Sequence, residues 1–277
     1  MIEFDWPVLQ SYCWGDYFSV GDDLAISPKK TRALVLDAAG KTSPRKSFPL
    51  SAEQDLFAEF AQLKVTEDAI LRFAKQHGAL SGHGLFVISR IDSSRVFRGD
   101  SIDLWVENIV AMNRAYHLWT LAFRTSPDPR LLGCYIHWSD RSVRYETPNG
   151  EYSEIIAHRI ESPEVFRCFN KRDLVQPAKY FVAKMINSRI DGLVSPVLRL
   201  RGEDIETQFR PRNLLGALWY QFFSAVRSGE PVQLKPCEKC GTPIRAKRST
   251  KRICGECSKK GRDATYRKNH GRIKSEQ

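Results

Sequence analysis

Between Ser51 and Gly78 apolar side chains recur every three or four residues in two short blocks. Leu56, Phe57, Phe60 and Leu63 form one stripe behind Ser51-Ala-Glu-Gln54, which has the form of a capping box, so the spacing predicts a helix over about 52–63. Thr66 can cap a second helix whose Ile70, Leu71, Phe73 and Ala74 face inward, and Gly78 stands where such a helix stops. The two are expected to form a hairpin. A longer block, Ser101 to about Arg124, carries Trp105, Ile109, Met112, Leu118, Trp119 and Phe123 and predicts a long helix central to the core. Pro177 sits in the first turn of a helix running to about Arg189, and Asn213 to Arg227 is helical until Gly229-Glu-Pro231 closes it.

Other stretches have the period of strands. Residues 1–50 alternate short apolar runs such as Ala33-Leu-Val-Leu36 with Gly, Pro and Ser clusters, a pattern of short strands and turns. Gly84-Leu-Phe-Val-Ile-Ser89 reads as a strand. Tyr135-Ile-His-Trp138 and Ser142-Val-Arg-Tyr145 read as a hairpin about Asp140-Arg141, and Leu193 to Leu200 as extended chain. The expected fold is α+β: a predominantly helical body over residues 1–230 and a small C-terminal zinc ribbon or finger over 231–277.

Composition supports a packed body. Of the 277 residues 42% are apolar, with six Trp and fifteen Phe, which excludes disorder of the whole. A prior of roughly 150 residues per domain fits one large domain and something small. The longest apolar stretch, Leu214 to Phe223, is about half of the roughly 20 residues a spanning helix needs, so no membrane partner is expected. The first residues, Met1-Ile-Glu-Phe-Asp-Trp-Pro7, place an acid early and lack an apolar run, so they do not read as a secretory signal and a cytoplasmic location is expected.

Charge is distributed unevenly. The net charge is +11, and the stretch from Lys235 to Gln277 holds 14 Lys plus Arg against four acids, leaving 29 against 28 in the rest. A neutral body thus carries a basic tail, which attracts phosphate polyanions. Anionic lipid is the weaker fit, because after Cys257 the tail offers only Ala264, Tyr266 and Ile273 as an apolar face.

The seven cysteines sharpen the picture. Cys13, Cys134 and Cys168 are scattered, and the apolar neighbours of Cys134 and Cys168 predict packed thiols rather than nucleophiles. The other four form two C-x2-C pairs, Cys237/Cys240 and Cys254/Cys257, separated by thirteen residues. Each pair lets a tight turn aim two thiolates at one ion, and two pairs complete a closed tetrahedral shell with bonds of about 2.3 Å. One Zn²⁺ is expected, structural rather than catalytic because a closed shell leaves no position for water. A redox dithiol or an iron–sulfur cluster are the alternatives; the spacing and basic surroundings favour zinc.

Positive charge lies on both sides of the second pair. Lys247, Arg248, Lys251 and Arg252 stand between the pairs, where they can meet a phosphate backbone. Ser258 can cap a following helix that carries Lys259, Lys260, Arg262, Arg267 and Lys268, with Arg272 beyond it. Tyr266 adds a flat surface on which a base can stack.

The C-x2-C-Gly start, the second cysteine pair and the helix Arg262-Asp-Ala-Thr-Tyr-Arg-Lys268 make this tail resemble the CGNR zinc-finger group of bacterial transcriptional regulators. Leu174 to Arg189, and Leu214 to Phe223 with its Trp219-Tyr-Gln221, are similar to the helices that precede the finger there, so the resemblance covers about 100 residues. The second pair departs from it, reading Cys-Gly-Glu-Cys where the group has Cys-Gly-Asn-Arg. The resemblance implies DNA binding under the control of an N-terminal sensing domain, and so DNA rather than RNA as the partner and a small molecule or protein as the partner of the body.

No P-loop, G-x-G-x-x-G, G-x-S-x-G or H-E-x-x-H motif is present, and no two of the six histidines stand four apart. Arg72-Phe-Ala-Lys-Gln-His77 has the Arg and His spacing of some metal-independent ribonucleases, although a basic residue near a helix C-terminus is the simpler reading. The alternative function is therefore an RNA- or DNA-processing effector, of toxin or phage-defence type, whose tail positions substrate. A protein-interaction ribbon is the third.

Overall fold

A computed structural model describes residues 3–6, 12–19, 29–36, 46–49, 56–81, 85–89, 96–123, 126–147, 152–156, 163–229, 234–236, 243–245 and 258. The chain forms two compact units, Met1–Pro231 and Val232–Gln277. The first mixes helix and sheet, as an α+β body should.

The first unit opens with β1 (Glu3–Trp6), β2 (Tyr12–Ser19), β3 (Lys29–Leu36) and β4 (Lys46–Pro49). β1 and β4 pair antiparallel, with Phe4 opposite Phe48. After α1 (Leu56–Ala61) and α2 (Glu67–His77) come β5 (Leu85–Ser89) and β6 (Val96–Ser101). β2, β3, β6 and β5 close on themselves as a four-stranded barrel, every pairing antiparallel. Closure removes the unpaired edge that an open sheet of this size exposes. The barrel is tied to α2 by Arg32, whose guanidinium donates to both carboxylate oxygens of Glu67 at 2.9 and 2.8 Å, and by the Trp14 indole, which donates to the Glu67 carbonyl at 3.0 Å.

Of the helix ends read from the sequence, the Ser51–Gln54 capping box lies outside the described residues, whereas the Thr66 cap and the Gly78 stop are present. Thr66 accepts the Ala69 N–H at the start of α2, and Gly78 ends it at φ 98°. Ser101 accepts the Leu104 N–H at the start of α3 (Ile102–Ala122), and each cap is worth about 1 kcal/mol. α3 is the central helix. Trp105, Ile109, Met112 and Trp119 are buried along it. It packs against α1 and against α6 (Val175–Ile190).

Between α3 and α6 lie α4 (Pro129–Gly133), β7 (Ile136–Trp138), β8 (Ser142–Glu146), β9 (Tyr152–Ile156) and α5 (Pro163–Arg167). The expected hairpin is β7 and β8, to which β9 adds a third antiparallel strand. Pro177 is buried in the first turn of α6, where Asp173 supplies the cap that Leu174 cannot, accepting the Val175 N–H at 2.8 Å.

The unit ends with β10 (Val194–Arg201), β11 (Asp204–Pro211) and α7 (Leu214–Ser228). Asn213 accepts the Gly216 N–H at 2.8 Å, and Gly229 terminates α7 in the left-handed region at φ 76°. Phe222 of α7 stacks on Phe57 of α1, ring centroids 5.0 Å apart, and meets Trp119 edge-on at 5.3 Å, so one aromatic cluster joins α1, α3 and α7. β10 and β11 form a separate two-stranded ribbon. The register sets Leu200 opposite Ile205 and Pro196 opposite Phe209, and one face of the ribbon is apolar and open, Leu198 being 75% and Leu200 71% exposed.

In the second unit β12 (Leu234–Pro236) and β13 (Pro243–Arg245) pair antiparallel, with Pro236 opposite Pro243.

Candidate functional site

Cys237 and Cys240 fall among the six residues that join β12 to β13. Both lie outside the described residues, as do Cys254 and Cys257. So do the expected nucleic-acid contacts Lys247, Arg248, Lys251, Arg252, Lys259, Lys260, Arg262, Tyr266, Arg267, Lys268 and Arg272. Ser258, expected as a helix cap, is itself helical and exposed. Among the described residues no group of three or more His, Cys, Asp or Glu can hold a metal ion. An antiparallel strand pair, β12 and β13, flanks Cys237 and Cys240 in the sequence.

Two expectations for single residues need comment. Cys134 and Cys168, read as packed thiols, are exposed. The reason is local: Cys134 caps the C-terminus of α4 and Cys168 directly follows α5, so each sits where the chain leaves a short helix at the surface. Arg72 and His77 both lie on α2, but a five-residue offset turns them roughly 140° apart around the helix axis. Arg72 is exposed, whereas His77 is half-buried with its ring 4.6 Å from that of Phe73. This is the arrangement of a helix-end histidine packed on an aromatic ring.

The body contains a cavity of about 280 Å³ where α3, α6, α7 and the β7–β9 sheet meet. Its apolar wall is built from Ala111, Tyr145, Phe181, Met185 and Trp219. Phe181 and Trp219 are fully buried, and Tyr145 lies 5.7 Å from Phe181 between ring centroids. Among the described residues its polar wall carries three cations, Arg114 from α3 with Lys184 and Arg189 from α6, and no carboxylate.

The cations are held in place by their neighbours. Arg189 donates to Glu107 at 2.8 Å and is 3.5 Å from the Asn108 amide oxygen. Lys184 donates to the Ser153 hydroxyl at 3.2 Å, which spans α6 and β9. Two lining residues carry unmet hydrogen-bonding capacity: the Thr147 hydroxyl and the Trp219 indole N–H are buried without a partner. Such groups normally find one, since leaving them unmet costs about 1–3 kcal/mol.

One further buried group organises the body without reaching the cavity. Asp100, at the end of β6, accepts the Leu80 N–H at 2.6 Å and the Ser81 N–H at 3.4 Å, with the Ser81 hydroxyl donating to the same carboxylate. Burial pushes its carboxyl above the ordinary carboxylate range, against the opposing effect of these hydrogen bonds. The Leu80 carbonyl accepts the Leu215 N–H at 3.1 Å, so β6 and the first turn of α7 are linked through one residue.

Comparison with family models, curated proteins and solved structures found no match to this chain. The class defined by fold is a mixed α+β body with a basic four-cysteine tail. Sequence reasoning missed the cavity, because its lining comes from α3, β8, the residue after β8, β9, α6 and α7.

Proposed function

We propose that the chain is a nucleic-acid-binding protein, a DNA-binding regulator in which one structural Zn²⁺ held by Cys237, Cys240, Cys254 and Cys257 folds the basic tail. The observation that carries this reading is the coincidence, within the 46-residue unit Val232–Gln277, of two C-x2-C pairs with nearly all of the net charge. A segment this short cannot build a sufficient core, and a metal supplies its folding energy. The β12–β13 pair supports the reading, since it flanks the first cysteine pair as a ribbon does. Tail cations then neutralise phosphates, and Tyr266 offers a stacking surface. The body supplies the sensing domain. Among its described residues no helix is long and apolar enough to cross a membrane.

The test joins metal content to binding. The purified full chain is expected to hold one zinc and to retard a short DNA duplex more strongly than single-stranded RNA of equal length. Cys237→Ser with Cys254→Ser is expected to lose both metal and retardation. A chain without zinc, or one that binds DNA equally well in the cysteine variant, contradicts the proposal.

A further inference from the structure

We propose that the outer edge of β11 pairs antiparallel with the same edge of a second copy of this chain, joining two β10–β11 ribbons into one four-stranded sheet. This goes beyond the nucleic-acid reading and does not depend on it. Among the described residues β11 pairs with β10 alone, and Ile205, Thr207 and Phe209 on it are all exposed. A two-stranded ribbon is marginal by itself, whereas three or more strands with an apolar face are stable.

The two edges of the ribbon differ. Arg201 and Asp204 close the two-residue turn Gly202-Glu203 as a hydrogen-bonded pair, and bonded and non-bonded pairs alternate from there. Pro196 and Phe209 therefore form a non-bonded pair, and the backbone of each is directed outward. On β10 this places a residue without an N–H at the free edge, a device by which natural edges avoid pairing. On β11 the outward groups belong to Ile205, Thr207 and Phe209, each with a donor and an acceptor.

The sequence of β11 fits itself in one register. With Thr207 opposite Thr207 of the second copy, Ile205 meets Phe209, Glu206 meets Gln208 and Asp204 meets Arg210, each twice by symmetry. The apolar pair falls on the face shared with Leu198 and Leu200, and the ion pair on the opposite one. Opposite charges directly across an antiparallel pair stabilise it, and like charges destabilise it. Centring the pairing on Glu206 sets two carboxylates against each other, and centring it on Gln208 puts Pro211 where an N–H must donate. A one-residue slip sets apolar side chains beside charged ones.

The same register covers the open tip. The Phe209 ring lies 5.8 Å from that of Tyr220, so α7 crosses the apolar face at the base of the ribbon. Antiparallel pairing sets the tip of one ribbon beside the base of the other. Leu200 and Ile205, both largely exposed, then reach toward the half-buried Tyr220 and Phe223 of the second copy. About 100 Å² from each of Leu200, Ile205 and Phe209, with the strand edge, makes on the order of 500 Å² per copy, the lower limit for a specific interface. Association is therefore expected at micromolar concentration, and in more dilute solution the ribbon face stays open.

The experiment is sedimentation equilibrium of the zinc-loaded full chain, freed of nucleic acid, across the micromolar range. A monomer–dimer equilibrium is expected. Arg210→Glu, at an exposed position, sets a carboxylate against Asp204 and is expected to weaken association at least tenfold. Asp204→Arg sets two cations together and is expected to do the same, whereas an equimolar mixture of the two variants restores opposite charges and is expected to associate within threefold of the wild type. Thr207→Pro removes an outward N–H while leaving the β10 ladder its bonds, and is expected to abolish the dimer. Arg199→Gln, on β10, is expected to leave it unchanged. Far-UV circular dichroism checks that each variant is folded. The proposal is overturned if the wild type sediments as a monomer throughout, if Arg210→Glu and Thr207→Pro leave association unaltered, or if the mixture associates no better than either variant alone.

Discussion

The carboxylate of Asp100 holds the backbone N–H of Leu80 at 2.6 Å in a site from which water is excluded. Because the Leu80 carbonyl in turn accepts from Leu215, this contact anchors the loop after α2 to both β6 and α7. Asp100→Ala leaves the buried Leu80 N–H without its partner, and a loss of about 1–3 kcal/mol is expected in chemical denaturation.

The same residue predicts a pH effect. Burial raises the folded-state pKa of Asp100 above 3.8, so the folded chain binds this proton more tightly than the unfolded chain does. The resulting stabilisation is fully present below the unfolded value and is lost as pH rises through the raised one. The stability gap between the wild type and Asp100→Ala is therefore wider at pH 4 than at pH 7. An equal gap, or one that widens with pH, contradicts the assignment.

Gly216 is fixed by a close approach. A Cβ built there falls 2.6 Å from the Leu193 carbonyl oxygen, which also accepts the Arg212 N–H at 2.9 Å. In an open helix Gly→Ala stabilises by about 1 kcal/mol. Here Gly216→Ala is expected to destabilise by roughly 1–3 kcal/mol, as overpacking does, because backbone must move. The sign of the change in denaturation midpoint decides it.

The β10–β11 ribbon and α7 should respond differently to truncation of leucine. Leu200 is 71% exposed and Leu218 fully buried. Leu200→Ser is expected to alter stability by no more than about 0.5 kcal/mol, and Leu218→Ala to cost about 2–5 kcal/mol. Comparable losses at the two positions would mean that the ribbon face is covered.

What the sequence revealed was largely local. Thr66, Gly78, Ser101, Asn213 and Gly229 mark helix ends because a capping hydroxyl, an amide or a positive φ acts within a few residues of its partner. β6 was illegible. Val-Phe-Arg-Gly-Asp-Ser has no alternation, and only one of its two partners, β5, is near in sequence, the other being β3, more than sixty residues earlier. Cys134 and Cys168 misled because apolar neighbours in sequence say nothing of exposure at the end of a short helix. Arg114 of the cavity lies about seventy residues before Lys184 and Arg189, so only the packing of α3 on α6 brings them together.

The central claim is that the zinc-bearing tail binds nucleic acid through its cations. It is tested most directly by fluorescence anisotropy of a labelled DNA duplex titrated with the full chain, and with its Arg262→Ala, Arg267→Ala variant, over a series of salt concentrations. With roughly six phosphates neutralised, log affinity is expected to fall against log salt with a slope near −5, and loss of two cations to reduce that slope by about 2. Absence of binding by the zinc-loaded chain, or a slope the double variant leaves unaltered, would contradict the account.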